Sequence, residues 1–322
     1  MPAPTNLYQA PTLRGNREDL IDKIFNTAAS ETPVVSSYGR SDATGVLHEW
    51  QTDSLAAPNA ANAMIDGDDV TLDAQTPTNR IGNYMQIFGK RPGVSRRANI
   101  IKKAGRSNEA NYLKAKAMLE IKRDMEAMVL SASAAVAPTT SVAGRSAGLG
   151  VQAAVSPLHG AGGSTPAWTT GVPTVAPTAG TARAFTEALL KTGLQTVFNA
   201  TGKVPPRALM SASHKGTFSA FVGVGNVNRV NVGKKEQGKV IGGVDVYMSD
   251  FGPVEAVPHY IMSGASNVFL DNPEYADIAF LDGFKTAELG KTGDSDRYLI
   301  TVDAGLALRA PNTVMKIADL TP

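Results

Sequence analysis

Apolar residues recur at helical spacing most clearly between residues 107 and about 135. Leu113, Ala117, Ile121, Met125 and Met128 fall there on one face. Lys114, Lys116, Glu120, Lys122, Arg123, Asp124 and Glu126 cover the other faces, with Glu120–Arg123 a favourable pair and Glu120–Asp124 a like-charge one. With Ser107 as the cap and Glu109 in the first turn, the pattern predicts one amphipathic helix, roughly 40 Å long at about 1.5 Å per residue. A second helical pattern runs from about residue 181 to 200 and turns Phe185, Leu189, Leu190, Leu194, Val197 and Phe198 inward. Shorter helices are expected at residues 16–25, behind Asn16, and at residues 213–221.

Alternation of apolar and polar positions predicts strands at residues 46–55 and 80–94. Between them lies the low-complexity tract AAPNAANAMIDGDD, so the pair reads as a long hairpin projecting from its own core and lying on a neighbour. A buried strand is expected at residues 207–211 and another at 240–249. Further short apolar runs follow at 260–262, 268–270, 278–281, 298–302 and 313–317. Residues 31–39 suit a strand or extended turn. Residues 138–182, rich in Ala, Gly, Ser, Thr and Pro, read as a long loop with one strand-like patch at 148–155. The first sixteen residues, broken by Pro2, Pro4 and Pro11, form an extended arm. The fold class is α+β with one long outlying loop.

Charge changes this picture more than composition does. From Ser41 to Asn79 stand Asp42, Glu49, Asp53, Asp66, Asp68, Asp69 and Asp73, with no Lys or Arg. From Arg80 to Asn108 stand Arg80, Lys90, Arg91, Arg96, Arg97, Lys102, Lys103 and Arg106, with no acid. The formal charge is only +2, so each block is the nearest partner for the other, on the same subunit or on an identical neighbour. That balance argues against a dedicated nucleic-acid binder. The candidate inter-subunit contacts are therefore Asp66, Asp68, Asp69, Asp73, Arg80, Lys90, Arg91, Arg96, Arg97, Lys102 and Lys103. The chain has 322 residues and 43% hydrophobic content, enough for real cores, with aromatics at 6%. No signal peptide and no run long enough to span a membrane is visible, so a soluble, intracellular chain is expected.

Catalytic chemistry finds little footing. The chain has no Cys, which removes disulfides, thiol catalysis and cysteine-based metal sites. His48, His159, His214 and His259 are scattered and read as structural residues. Gly202-Lys203, Gly233-Lys234 and Gly223-Val224-Gly225 lack the remaining residues of a phosphate-binding loop. Asp66-Gly67-Asp68-Asp69 and Asp294-Ser295-Asp296 lack the later ligands of a calcium loop and read as solvated tips. No enzymatic activity, cofactor or metal is expected.

Local patterns carry a resemblance. Glu31-Thr32-Pro33, Ser36-Ser37-Tyr38-Gly39, Trp50-Gln51-Thr52-Asp53-Ser54-Leu55, Asn79-Arg80 with Gln86-Ile87, and Glu120-Ile121-Lys122-Arg123-Asp124 occur in this order. With the order of elements, they make the chain similar to the major capsid proteins of tailed bacteriophages, whose fold is named after phage Hong Kong 97. The resemblance implies an N-terminal arm over residues 1–40 and an extended loop over 41–104. It implies a peripheral domain with the spine helix and following loop over 105–180, an axial domain over 181–260, and closing strands over 261–322.

It also implies function. Identical subunits would form hexamers and pentamers and tile an icosahedral shell around double-stranded DNA, in a virion assembled in the host cytoplasm. A separate scaffolding protein, a portal and a decoration protein are the implied partners; no membrane is involved. Some members of the fold join a loop Lys to a neighbour's Asn. Here residues 41–89 contain no Lys, so no such isopeptide bond is expected. The alternatives are a cellular nanocompartment shell of the same fold, or a nonspecific DNA-binding protein using residues 90–106.

Overall fold

The computed structural model describes residues 29–67, 72, 74–103, 105, 107–153, 157–221, 246–291 and 293–322. In chain order it begins with α1 (Pro33–Ser37) and β1 (Gly39–Asp42), then β2 (Leu47–Thr52), β3 (Asn79–Tyr84), β4 (Gln86–Lys90) and β5 (Gly93–Ser95). Next come α2 (Arg96–Ile100), α3 (Glu109–Val129), α4 (Leu149–Gln152), and the hairpin β6 (Ala167–Thr169) and β7 (Val172–Val175). Then follow α5 (Glu187–Thr201), β8 (Arg207–Met210), α6 (Ala212–Ser219), β9 (Val246–Ser249) and β10 (Gly252–Pro258). The chain closes with β11 (Val268–Asp271), β12 (Ala276–Leu289), β13 (Ser295–Leu308) and β14 (Met315–Ile317).

Two sheets organise these elements. The first runs β1-β12-β13-β4, with β5 continuing along β13; β1 lies parallel to β12 and the other pairings are antiparallel. Helix α3 lays Ala117, Ile121, Met125 and Met128 into a core with Ile278, Ile300, Val302 and Leu306 of this sheet. The second sheet runs β14-β11-β8-β10-β9. Its core joins Leu190, Leu194 and Val197 of α5 and Phe218 of α6 to Ala208, Met210, Leu270, Met315 and Ile317. Gly193 lets α5 sit close to that sheet: a Cβ there would meet Leu270 Cδ1 at 3.0 Å and Met315 Sδ at 3.1 Å.

Several expectations need correction. Helix α3 has 21 residues, about 32 Å at about 1.5 Å per residue. Its cap is Asn108, whose side chain accepts from Asn111 N–H at 3.0 Å, not Ser107. It stops at Val129 because the following backbone groups bond elsewhere: Gly150 N–H to Ser131 O, Gly148 N–H to Ser133 O and Ala135 N–H to Pro173 O. The patch at 148–155 is no strand: its described part holds the buried helix α4, with residues 154–155 outside the described set. Residues 33–37 are helical because the Glu126 carboxylate accepts the first free N–H groups, from Val34 and Val35, each at 2.8 Å. Residues 260–262 form a single 3₁₀ turn, capped by the His259 side chain.

The expected strand at 80–94 breaks at Met85. Its first part pairs with β2 as the predicted hairpin, from Leu47↔Tyr84 to Thr52↔Asn79. Its second part leaves that hairpin and joins β13. Helix α5 begins only at its Thr186 cap, and Phe198, expected inward, is 38% exposed and leans on Phe251. The runs at 278–281 and 298–302 are segments of two 14-residue strands. Nothing in the pattern predicts β10, whose Pro253 and Pro258 read as turn residues. The expected helix at 16–25 lies outside the described residues, as does the first part of the strand at 240–249.

The Gly-rich tract is tied down by a buried polar seam. Asn83 Nδ2 donates to Ser146 Oγ, Ala147 O and Leu306 O, and Asn83 Oδ1 accepts from Ala147 N–H. Gln152 continues the seam, donating to Ala147 O and Leu306 O and accepting from Leu308 N–H. Asn83→Ala strands the Ala147 N–H where water does not reach, while Gln152 still donates to Ala147 O and Leu306 O. It is expected to lower stability by about 2 kcal/mol, as one unsatisfied buried donor does. Urea unfolding measures this, and a loss below about 1 kcal/mol would show that water replaces the side chain.

Candidate functional site

Beyond Thr52 and before Asn79 the hairpin opens into a loop with no strand pairing among its described residues. That loop carries Leu55 at 99% exposure, Met64 at 69%, Ile65 at 76% and Leu72 at 100%. Four large apolar side chains this exposed on one segment are unusual for a protein surface. Asp53 and Asp66 stand exposed among them; Asp68, Asp69 and Asp73 lie outside the described residues.

The basic block divides in two. Four of its members fasten their own subunit. Arg80 Nε meets Glu49 Oε1 at 3.2 Å across the hairpin. Lys90 Nζ meets Asp124 at 2.9 Å and ties the end of β4 to α3; the hydrogen bond to Asp124 raises the Lys90 pKa. Arg96 Nε meets Asp294 Oδ1 at 2.8 Å, holding α2 to the turn between β12 and β13. Lys103 pairs with Glu109 at 3.0 Å at the start of α3. Of the other four, Arg106 lies outside the described residues, and Arg91, Arg97 and Lys102 are exposed and form no ion pair among the described residues. Arg97 and Ile100 lie three apart on α2, and Ile100 (67% exposed) and Ile101 (55%) make that surface apolar as well as basic. The structure thus holds an acidic, apolar loop and, separately, a basic, apolar platform.

Two buried clusters that no local sequence signal marks anchor the chain that leads into this machinery. Glu126, fully buried on α3, caps α1 and accepts from His259 Nε2 at 2.8 Å. His259 Nδ1 accepts from Ile261 N–H, which places the ring proton on Nε2. Asp271, also fully buried, meets Arg207 at 2.6 Å and accepts from Tyr38 Oη at 2.9 Å. Burial raises the Asp271 pKa against the opposing pull of Arg207, and burial followed by the Asp271 charge pushes the Tyr38 hydroxyl well up. Both clusters join partners far apart in sequence, so only a three-dimensional fold reveals them.

The histidines have structural partners. Besides His259, His159 meets Asp319 at 3.1 Å, and His214 bonds Ser211 at 3.0 Å and Thr321 O at 3.1 Å. Ser211 is the α6 cap, so its pairing with His214 closes a helix end and serves no cleft. A groove of about 1110 Å³ lies between the hairpin base and the Tyr275 and Arg309 segments; it is lined by Trp168 and Pro311, and no histidine lines it. Among the described residues no group of His, Asp and Glu is placed to hold a metal, and no helix is long and apolar enough to cross a membrane.

Residues 4–321 match the family model for the SU10 major capsid protein. The chain is 33% identical over 128 residues to the major capsid protein of Escherichia phage Phieco32; the match spans 40% of this chain and 36% of that protein. Among solved structures it resembles a chain of the cyanophage A-1(L) capsid asymmetric unit, with a TM-score of 0.65 at 15% identity over 99% of this chain and 100% of that one. The capsid structure of cyanophage P-SCSP1u gives 0.54 at 8% identity, over 92% and 90%. These likenesses establish the Hong Kong 97-type α+β fold expected from the sequence. With the family match running over nearly its full length, the chain belongs to the SU10 major capsid protein family.

Proposed function

We propose that this chain is the repeating unit of an icosahedral shell around double-stranded DNA, and that the projecting loop is its principal fastener. The observation that carries the reading is the loop itself, with Leu55, Met64, Ile65 and Leu72 each at least 69% exposed. Burying four such side chains contributes about 6–12 kcal/mol gross at roughly 1.5–3 kcal/mol each, enough to offset the cost of associating two subunits. The acidic loop of one subunit seats on the basic platform of the next, so that Asp66, Asp68, Asp69 and Asp73 face Arg91, Arg97 and Lys102. Such head-to-tail contact closes into rings where the rotation between neighbours closes, and pentamers and hexamers are the closed forms in this reading.

In this reading residues 1–40 are the arm and 41–104 the loop region. The first sheet with α3 is the peripheral body, and the second sheet with α5 and α6 faces the ring axis. A separate scaffolding protein, a portal and a decoration protein complete assembly in the host cytoplasm. No isopeptide bond forms, and the assembled protein therefore runs as a single band on a denaturing gel.

Negative-stain electron microscopy of the purified chain, alone and with co-expressed scaffold, tests the proposal. Closed icosahedral particles or five- and six-membered rings are expected, and their diameter separates a genome-sized shell from a nanocompartment. Small featureless particles under both conditions would remove the shell reading. Duplex-DNA binding through residues 90–106, falling steeply with salt, would then be the function to measure.

A further inference from the structure

Gly67 lies near the middle of the projecting loop with φ +80°, and a side chain there would meet nothing within 4 Å. The residue before it, Asp66, is exposed, and its carboxylate makes no hydrogen bond or ion pair among the described residues. An aspartate followed by glycine brings a carboxyl carbon and a backbone nitrogen into the same short segment. With no Cβ on the second residue and no partner on the first, little restrains the two from meeting.

We infer that Asp66–Gly67 is a site of spontaneous isomerisation of the backbone, and that assembly arrests it; this second half rests on the shell reading above. The Gly67 nitrogen attacks Asp66 Cγ in its protonated form. An N–Cγ bond forms, a Cγ–O bond breaks, and the carboxyl oxygen departs as water with the amide proton. Water then opens the resulting succinimide. Attack at Cγ restores aspartate. Attack at the Asp66 main-chain carbonyl carbon breaks its bond to nitrogen and leaves the chain running through Cβ and Cγ. Nothing is oxidised or reduced, and the water lost is regained. The product carries an extra methylene in the main chain beside Ile65, within the surface that seats on the neighbour. Free subunits therefore lose their fit with age, while subunits whose loops are covered keep it.

The molecule contains its own control. Asp282–Gly283 is the other Asp-Gly pair, but it lies inside β12, and Asp282 is held by Lys285 at 2.7 Å. Gly283 has open space around it as Gly67 does, and the β12–β13 ladder is irregular on both sides of Asp282. What sets this pair apart is a carboxylate held by Lys285 and a Gly283 backbone that is not left-handed.

The test is incubation of the full-length chain, unassembled and as particles, at neutral pH and body temperature, followed by digestion with a protease that cleaves before aspartate but not isoaspartate. In the unassembled chain, cleavage before Asp66 is expected to decline with time while cleavage before Asp282 persists. Gly67→Ala slows the decline several-fold, and the particles show little of it. Undiminished cleavage at Asp66 in the unassembled chain would overturn the site. Equal decline in free chain and particles would overturn protection by assembly. Failure to form particles, seen by microscopy, removes the shell reading and with it the arrest, and leaves the result at Asp66 in the free chain standing.

Discussion

Arg97→Glu with Lys102→Glu yields a folded subunit that forms no shell. Both side chains are exposed and make no ion pair among the described residues of their own subunit, so reversal leaves the monomer's unfolding free energy within about 0.5 kcal/mol of wild type, as surface substitutions do. Across the interface the effect is large. Each reversal turns an attraction for the acidic loop into a repulsion, costing several kcal/mol per contact, and every subunit repeats the contact. Arg96 is left unchanged because it holds Asp294 within the subunit. Reversing it would confound assembly with folding. Asp68→Lys with Asp69→Lys is expected to restore part of the particle yield. Particle yield by sedimentation is the measurement, and wild-type yield from the double reversal would sink the loop-on-platform contact. Assembly of the wild type slows as salt rises, since exposed charges more than about 8 Å apart are largely screened at physiological ionic strength.

The second large effect is on folding. Arg207→Ala leaves Asp271 fully buried without its cation, and removing one partner of a buried pair costs about 3–5 kcal/mol. The pH dependence has a definite sign. Burial already raises the Asp271 pKa above its ordinary value, and Arg207 works against that rise. Without Arg207 the folded-state pKa climbs further. For a carboxyl raised on folding, stability is fully present below the unfolded pKa and is lost as pH rises through the folded one. The deficit of the variant is therefore greatest at neutral pH and shrinks on acidification. Urea unfolding at neutral and mildly acidic pH tests this, and a deficit that grows on acidification would refute it. Arg207→Met with Asp271→Leu should recover part of the loss, because no charge is left stranded, while the buried Tyr38 hydroxyl loses its acceptor.

How far the sequence could be read follows from the range of the interactions. Helix α3 and the β2–β3 hairpin were legible because periodicity and alternation are local. The charge blocks were legible because runs of like charge need no fold to be seen. The division of the basic block was not. Lys90, Arg96 and Lys103 find Asp124, Asp294 and Glu109, and the first two of those acids come from elements that only packing brings near. The end of α3 was also hidden, since the Ser131 and Ser133 carbonyls accept from Gly150 and Gly148, at and just before α4, and Ala135 N–H donates to Pro173 O of β7. Strand β10 looked like a turn because Pro253 and Pro258 signal one locally; pairing with β8 and β9 outweighs that signal.

By itself the sequence determined the α+β class, the long amphipathic helix, the projecting loop with its charge asymmetry, and the likeness to tailed-phage capsid proteins. Periodicity, charge and composition are properties of neighbouring residues, and they survive without knowledge of distant ones. Tertiary structure alone decided which bases of the block pair within the subunit and which make no ion pair among the described residues, where β4 pairs, and how the Gly-rich tract is held by Asn83 and Gln152. It also decided that Glu126 and Asp271 are buried anchors. A carboxylate written into a sequence looks solvated, and only a closed core shows that a helix cap, a histidine or an arginine stands where water would have been.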